Sequence, residues 1–199
     1  MSVFKENRMM KIVAFHGSPR IGGNTDILLG EALRPLYEGG HDIVLFRLNF
    51  MNIRPCQNCR GCEQTGICVI EDEMEMVYSA IRGADRIIVS SPIFFFGLSA
   101  QVKTMIDRCQ AFWCERYLLK KPIAFGEYGR KGMLILVGGM KKEIGIQCGD
   151  ATAKAFFRSI SVPEHETLSF IGVDHKGAIL DHPTALREVY NAGMKLLAK

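Results

Sequence analysis

Four cysteines within thirteen residues are the most specific chemical signal in this 199-residue sequence. Cys56, Cys59, Cys62 and Cys68 follow the spacing C-x2-C-x2-C-x5-C. Zinc sites usually join two cysteine pairs across a longer loop, and this segment has no such gap. Three cysteines at successive two-residue gaps, closed by a fourth, can each reach a different iron of a cubane cluster. The spacing therefore favours a [4Fe-4S] cluster, with zinc, a redox-active dithiol and ligand-free thiols as alternatives.

A second segment joins small polar side chains, glycines and a cation. The apolar run 12–15 leads into HGSPRIGGNT, residues 16–25, after which apolar residues recur at helical spacing. Hydroxyl, amide and guanidinium groups at a helix N-terminus form an anion site that fits a phosphate monoester. The segment matches neither Gly-x-Gly-x-x-Gly nor Gly-Lys-Ser/Thr, so the pattern supports neither a pyrophosphate nor a hydrolysed triphosphate. A capped surface turn is the alternative.

Three adjacent phenylalanines lie in SPIFFFG, residues 91–97, directly after another apolar run. Such a group at a ligand-binding edge favours a flat apolar ligand. Core packing or a dimer interface is the alternative, and for Phe95 it is an equally good explanation. Gly138 and Gly139 follow a further apolar run and can offer backbone donors to the edge of a ring, or form an ordinary turn. No catalytic acid or base stands out. His16 is interpreted as structural and His165 as a solvated surface residue.

These segments must be positioned by alternating strands and helices. The pattern predicts strands at 12–15, 41–48, 87–89, 133–137 and 167–173, and helices that include 147–160 and 183–197. Continuous apolar strands alternating with amphipathic helices indicate a doubly wound parallel sheet in a three-layer α/β/α arrangement. Ligands of such sheets bind beyond the carboxyl ends of the strands. We expect one domain over residues 1–199, with a cysteine-rich loop at 55–70 inserted after the second strand.

Composition limits the classes of function. The chain is 48% hydrophobic, and 25 Lys and Arg residues against 21 Asp and Glu residues give a net charge of +4. Because the basic residues form no run and the longest apolar stretch is short and interrupted, neither nucleic acid nor a membrane is expected as a partner. The N-terminal segment carries charges where a signal peptide needs an apolar core, which predicts a cytoplasmic, reducing location. Cys109, Cys114 and Cys148 lack metal-site spacing and are predicted to be small buried apolar residues.

Three segments together resemble the iron-sulfur flavoprotein family, a branch of the flavodoxin-like NADPH-dependent FMN reductases. These segments are GSPRIGGNT, SPIFFFGLSAQVKTMIDR and PCQNCRGCEQTGIC. The resemblance implies a five-stranded parallel sheet in the order 2-1-3-4-5, FMN at its carboxyl edge and one [4Fe-4S] cluster on the four cysteines. It also implies a homodimer or homotetramer that brings one chain's cluster towards another chain's flavin. The FMN-binding residues that it implies are Ser18, Arg20, Gly23, Asn24, Thr25, Pro92, Ile93, Phe94, Phe96, Gly97, Gly138 and Gly139.

Three functional hypotheses follow. The leading one is a flavin-dependent oxidoreductase that passes electrons from a ferredoxin-like donor through the cluster to FMN and on to a small-molecule acceptor, without a catalytic side chain. The second is an NAD(P)H-dependent FMN or quinone reductase whose cysteines bind zinc or nothing. The third is a non-catalytic zinc-binding interaction module on a flavodoxin-like scaffold. Iron content separates the first two, and flavin content separates both of them from the third.

Overall fold

The computed structural model describes residues 9–198, and a parallel sheet crosses the centre of this part of the chain. Its long strands lie in the order β2-β1-β3-β5-β6, and a two-residue strand, β4, pairs antiparallel with the end of β3. The strands are β1 (Lys11–His16), β2 (Asp42–Arg47), β3 (Arg86–Phe94), β4 (Gly97–Leu98), β5 (Lys131–Gly138) and β6 (His165–Ile171). The flavodoxin-like parallel α/β sheet is confirmed. The five long parallel strands follow the predicted spatial order. The sheet also contains a sixth strand, β4, which was not predicted because two residues are too few to produce a periodic pattern, so the order is numbered 2-1-3-5-6.

Helices connect successive parallel strands. They are α1 (Asn24–Glu38), α2 (Cys62–Thr65), α3 (Met74–Gly83), α4 (Ala100–Arg108), α5 (Gln110–Trp113), α6 (Ile144–Ser159) and α7 (Ala185–Leu197). Single 3-10 turns occur at Leu48–Phe50 and Ala178–Asp181, and a π-helical turn at Cys114–Leu118 continues α5. No helix among residues 9–198 combines the length and apolar character needed to span a membrane. The prediction about the charged N-terminal segment concerns residues that, up to position 8, lie outside the described part.

Two apolar cores cover the two faces of the sheet. Along β1, Val13 and Phe15 face the core formed with α3, α4, α5 and α6, whereas Ile12 and Ala14 face the core formed with α1 and α7. This alternation follows from the two-residue period of a strand, and it explains why the central strands are apolar at nearly every position. The helices on both faces make the three-layer arrangement expected from the sequence.

Strand β3 extends beyond its predicted end at residue 89. Its parallel pairing with β5 continues to Pro92, which lies opposite Val137. Two buried serines are tolerated in this strand because their hydroxyl groups are hydrogen-bonded: Ser90 Oγ donates to Phe15 O, and Ser91 Oγ accepts from Ser99 N. The extension carries the segment after residue 91 out to the carboxyl edge of the sheet.

Candidate functional site

A cleft of about 460 Å³ lies at the carboxyl edge of the sheet. It is bounded by the segments that follow β1, β5 and β6 and by the end of β3. Of the twelve residues predicted to bind a flavin, eleven line the cleft: Ser18, Arg20, Gly23, Asn24, Thr25, Pro92, Ile93, Phe94, Phe96, Gly138 and Gly139. Gly97 does not line the cleft; it is the first residue of β4 and pairs with Phe94 across the turn. Four separate stretches of sequence thus meet at one place.

The loop after β1 closes tightly on the sheet. Gly17 N donates to Ser90 O over 2.8 Å, and a Cβ atom on Gly17 would lie 2.1 Å from a methyl carbon of Val102, so only glycine fits. The loop then delivers Ser18 and Thr25 to the cleft as buried residues. Because α1 begins at Asn24 without a side-chain cap, its first N–H groups are available to an anion in the cleft.

The side chain of Asn24 connects this loop to the segment after β6. Its Nδ2 donates to His175 O over 2.8 Å, and its Oδ1 accepts from Ile179 N over 3.3 Å. The amide group therefore holds the wall of the cleft in place, and what Asn24 offers a ligand is its backbone N–H. On the same wall, Arg20 Nη1 donates to Asp174 O over 3.5 Å.

The phenylalanine segment forms a tight turn at the mouth of the cleft. Phe95 and Phe96 both have positive φ angles, 47° and 63°, in a two-residue connection of the kind that usually contains Asn-Gly. The Phe95 side chain is fully exposed, whereas Phe94 and Phe96 are partly covered. Core packing is thereby excluded for Phe95. Unusual backbone conformations of this type concentrate at binding sites.

Several lining residues lie outside the predicted set of twelve, although Phe95 belongs to the phenylalanine segment already described. They are Phe95, Val137, Met140, Lys142, Gly145, Val173, Asp174 and Lys176. Val173 and Asp174 follow β6, whose carboxyl end reaches the same edge of the sheet. Because ligands of such sheets bind beyond the carboxyl ends of the strands, these two residues are predictable once the segment after β6 is considered as well. Lys142 and Gly145 lie at the start of α6, which begins at Ile144 and not at the predicted residue 147. The difference arises because Gly145 weakens the helical pattern.

The cysteine-rich loop wraps around a separate small cavity. Its lining includes all four predicted ligands, Cys56, Cys59, Cys62 and Cys68. Positive φ angles at Asn58 (51°) and Arg60 (64°) turn the chain repeatedly between the first three cysteines. Backbone of alternating handedness directs N–H groups inward and is common at anion and iron-sulfur sites. A thiolate donor set on such a backbone fits an iron-sulfur cluster chemically.

The base of this loop is closed by polar contacts between the residues before and after it. Arg54 N donates to Asp72 Oδ2 over 2.9 Å, and Arg54 Nη2 donates to Glu71 O over the same distance. Next to them, Asn52 N donates to the Glu73 carboxylate, and Glu73 N donates to Asn52 O over 3.4 Å. The two ends of the cysteine loop are thus joined side by side.

A fifth cysteine lies against the predicted ligands. Cys114, buried at the start of the π-helical turn, lines the same cavity, and its Sγ is 3.7 Å from Cys62 Sγ. Burial, and secondarily the Cys114 thiol, raise the pKa of Cys62 to about 12. The sequence contains no signal for this approach, because Cys114 has no regular spacing from the other four. Cys109 and Cys114 are buried as predicted, but Cys148 is exposed, because it lies on the outer side of α6.

Of the two histidines singled out in the sequence, His16 has the predicted environment and His165 does not. His16 is buried, with Nε2 3.6 Å from Asp26 Oδ1, and burial lowers its pKa, which fits a structural role. The prediction for His165 is wrong: its ring is mostly buried, and Nε2 lies 2.9 Å from Asp150 Oδ1. The apolar contact of His165 with Phe157 explains its burial.

A single metal ion has no ready-made site in the described part of the chain. No three His, Cys, Asp or Glu side chains within residues 9–198 converge closely enough to hold one ion. The four cysteines share one cavity without that convergence. Metal ligation by Cys56, Cys59, Cys62 and Cys68 therefore stays a prediction.

Comparison with known proteins identifies relatives by sequence and by structure. Residues 10–149 match the family model described as NADPH-dependent FMN reductase. An iron-sulfur flavoprotein of Archaeoglobus fulgidus is 36% identical over 139 residues, covering 68% of this chain and 67% of that protein. An iron-sulfur flavoprotein of Methanocaldococcus jannaschii is 38% identical over 99 residues, 50% of this chain and about half (51%) of that protein.

A solved structure shares the fold over nearly the whole chain. The FMN-dependent NADH-azoreductase of Bacillus anthracis, in complex with FMN, superposes with a TM-score of 0.67. The match covers 94% of this chain and 99% of the azoreductase. At 13% identity this likeness concerns the fold alone.

Proposed function

Because this chain belongs to the NADPH-dependent FMN reductase family, and within it to the iron-sulfur flavoproteins, we propose that it moves electrons from a ferredoxin-like donor through a [4Fe-4S] cluster to FMN and on to a small-molecule acceptor. Membership of this family makes the chain a flavin-dependent oxidoreductase. One observation carries the proposed route through a cluster to FMN. Four cysteines with the spacing expected for a [4Fe-4S] cluster line one cavity, in a chain whose other cleft has a loop suited to a phosphate group.

The phosphate of FMN is assigned to the loop after β1. Ser18 and Thr25 supply buried hydroxyl groups, the start of α1 supplies N–H groups, and Arg20 supplies a positive charge at the rim. Lys176, which also lines the cleft, adds a second cation. Buried donors and nearby cations hold a dianionic phosphate and fix the position of the group attached to it.

The flavin ring is assigned to the space between the end of β3 and the start of the segment after β5. Pro92, Ile93 and the phenylalanine rings form an apolar wall, and Gly138 and Gly139 leave their backbone N–H groups accessible at its edge. Bound FMN supplies both one-electron and two-electron chemistry, so the protein needs no acid or base side chain for the transfer. The residues of the cleft bind the ring, orient it and exclude water from one side.

The cluster is assigned to Cys56, Cys59, Cys62 and Cys68. Cys62 and Cys68 are partly buried, whereas Cys56 and Cys59 are exposed, so one side of the loop is open to a redox partner. We assign the donor to this open side. We further propose a homodimer or homotetramer that brings the cluster of one chain towards the flavin of another.

The composition of the purified protein tests this proposal. After purification without oxygen, iron, acid-labile sulfide, zinc and flavin are measured per chain. We expect about four irons, an equal amount of sulfide and one FMN. One FMN without iron or sulfide, even after attempted cluster reconstitution, would overturn the electron route and leave an NAD(P)H-dependent FMN or quinone reductase. Zinc without flavin would overturn both.

A further inference from the structure

One buried arginine contacts both ends of the cysteine loop. Arg108, the last residue of α4, has no exposed side-chain surface. Its Nη1 donates to Arg54 O over 2.8 Å, just before the loop, and to Asp72 Oδ2 over 2.6 Å, just after it. Its Nη2 donates to Ile70 O over 3.0 Å. A single guanidinium group therefore fastens the loop to the helix beneath it.

The Nε of Arg108 is a buried donor that the loop does not use. Within residues 9–198, the buried Nε has no hydrogen-bond partner, although an unpaired buried N–H is costly. Arg108 and the four cysteines line the same cavity. A buried donor without a partner at the wall of a cavity indicates a partner inside that cavity.

The charge around Arg108 is only partly compensated. Asp72, 2% exposed, is paired with Arg108, and Arg54 Nε lies 3.8 Å from the same carboxylate. Burial alone would raise the pKa of Asp72, but hydrogen bonds from Arg108 and from backbone N–H groups lower it overall, so the carboxylate is ionised at neutral pH. Two guanidinium groups against one carboxylate leave this group of three side chains, at the base of the cysteine loop, with a net positive charge.

Resting on the proposed function, we infer that Arg108 is the positioning residue of the cluster: it holds the cysteine loop closed and keeps a buried positive charge at the wall of the cavity that the four cysteines line. A cluster held by four thiolates is negatively charged, and reduction makes it more negative. A nearby buried cation therefore stabilises the reduced form more than the oxidised form and raises the reduction potential. Arg108 contacts no substrate, so its role is exerted through the loop and the cluster.

Two variants separate the charge from the geometry. Arg108→Gln removes the positive charge and some of the N–H donors of the guanidinium group, whereas Arg108→Lys keeps the positive charge. In protein purified without oxygen, iron, sulfide and FMN are counted, and the cluster is titrated with a reductant while its EPR signal is recorded. We expect Arg108→Gln to lose iron faster to a chelator and to titrate at a more negative potential. Arg108→Lys should lie closer to the wild-type potential, and both variants should keep their FMN.

Arg130 provides a matched control. It is also a buried arginine that donates to two backbone carbonyls, Ala84 O and Ile81 O, and its Nε also has no hydrogen-bond partner in the described residues. It does not line the cysteine cavity. Arg130→Gln should therefore leave the iron content and the cluster potential unchanged.

The outcomes distinguish the inference from the function on which it rests. Wild-type protein without iron or sulfide defeats the proposed function before any variant is made. An Arg108→Gln protein with four irons and the wild-type potential overturns the role of Arg108 alone. Equal loss of iron in Arg130→Gln also overturns it, because any buried arginine would then have the same effect. Complete loss of iron in Arg108→Gln, with iron retained in Arg130→Gln, supports it.

Discussion

The cleft and the cysteine loop are positioned by different physical means. The cleft is assembled from segments near residues 18–25, 92–96, 137–145 and 173–176, and each begins at or near the end of a strand whose register the two cores determine. The cysteine loop is one continuous segment, 55–70, and a few polar contacts at its base determine its path. The two cavities have no lining residue in common. A rigid scaffold thus forms the first site, and a local closure forms the second.

This difference makes the two sites separable. A change in the loop leaves the strand ends in place, because their positions depend on buried apolar residues such as Phe15 and Val89. A change in the cleft leaves the polar base of the loop intact. One substitution in the loop and one in the cleft therefore test this separation from the two sides. A third substitution tests the strained turn at Phe95 in the cleft.

The largest effect is expected from removing one cysteine of the loop. Cys59 is exposed, so Cys59→Ala leaves no cavity in the core. It should reduce iron and acid-labile sulfide from about four per chain to almost none, since a cubane needs its fourth ligand. FMN should stay at one per chain. Cys148→Ala, a change at another exposed cysteine, is the control and should keep all the iron. Joint loss of FMN and iron in Cys59→Ala would show that the sites are coupled.

Most of the predicted lining residues of the cleft could be identified from the sequence, because they belong to motifs next to predictable strands. Ser18, Thr25 and Gly138 follow apolar runs, and the strand-end rule brings such residues together. The roles of individual side chains were harder to predict from the sequence. Asn24 was assigned to the phosphate, but its amide is hydrogen-bonded to the segment after β6, a contact 151 residues away that no local pattern encodes.

For the cysteine loop the sequence specifies the candidate ligands but not their surroundings. The three spacings between the four cysteines are local information, and the cavity that these cysteines line could be predicted to that extent. Arg108 and Cys114 come from a different helical segment, and their approach depends on how α4 and α5 pack under the loop. The residues that position and surround a site are set by tertiary packing, which a single sequence does not display.

A smaller effect is expected from the phosphate end of the cleft. Thr25→Val keeps the shape of a buried residue and removes its hydroxyl group. The loss of one hydrogen bond to a charged phosphate costs about 1.5–3 kcal/mol, which weakens FMN binding by about 10- to 150-fold. Fluorescence titration of the apoprotein with FMN measures this change, and the iron content should not fall. Thr152→Val, the same replacement on α6 away from the cleft, should bind FMN with unchanged affinity. Equal affinity in Thr25→Val would remove Thr25 from the phosphate site.

The smallest effect is expected at the strained turn of the cleft. Phe95 has a positive φ of 47° and a fully exposed ring, so Phe95→Asn sacrifices no buried contact and introduces a residue that tolerates this conformation. The free energy of unfolding should rise by about 0.5–1 kcal/mol, measured by denaturation in urea. Lys120→Asn, at an exposed position with φ of 58°, should give a similar gain away from the cleft. A gain at residue 120 together with a loss at residue 95 would mean that the Phe95 ring stabilises the folded protein through contacts other than those of the single chain.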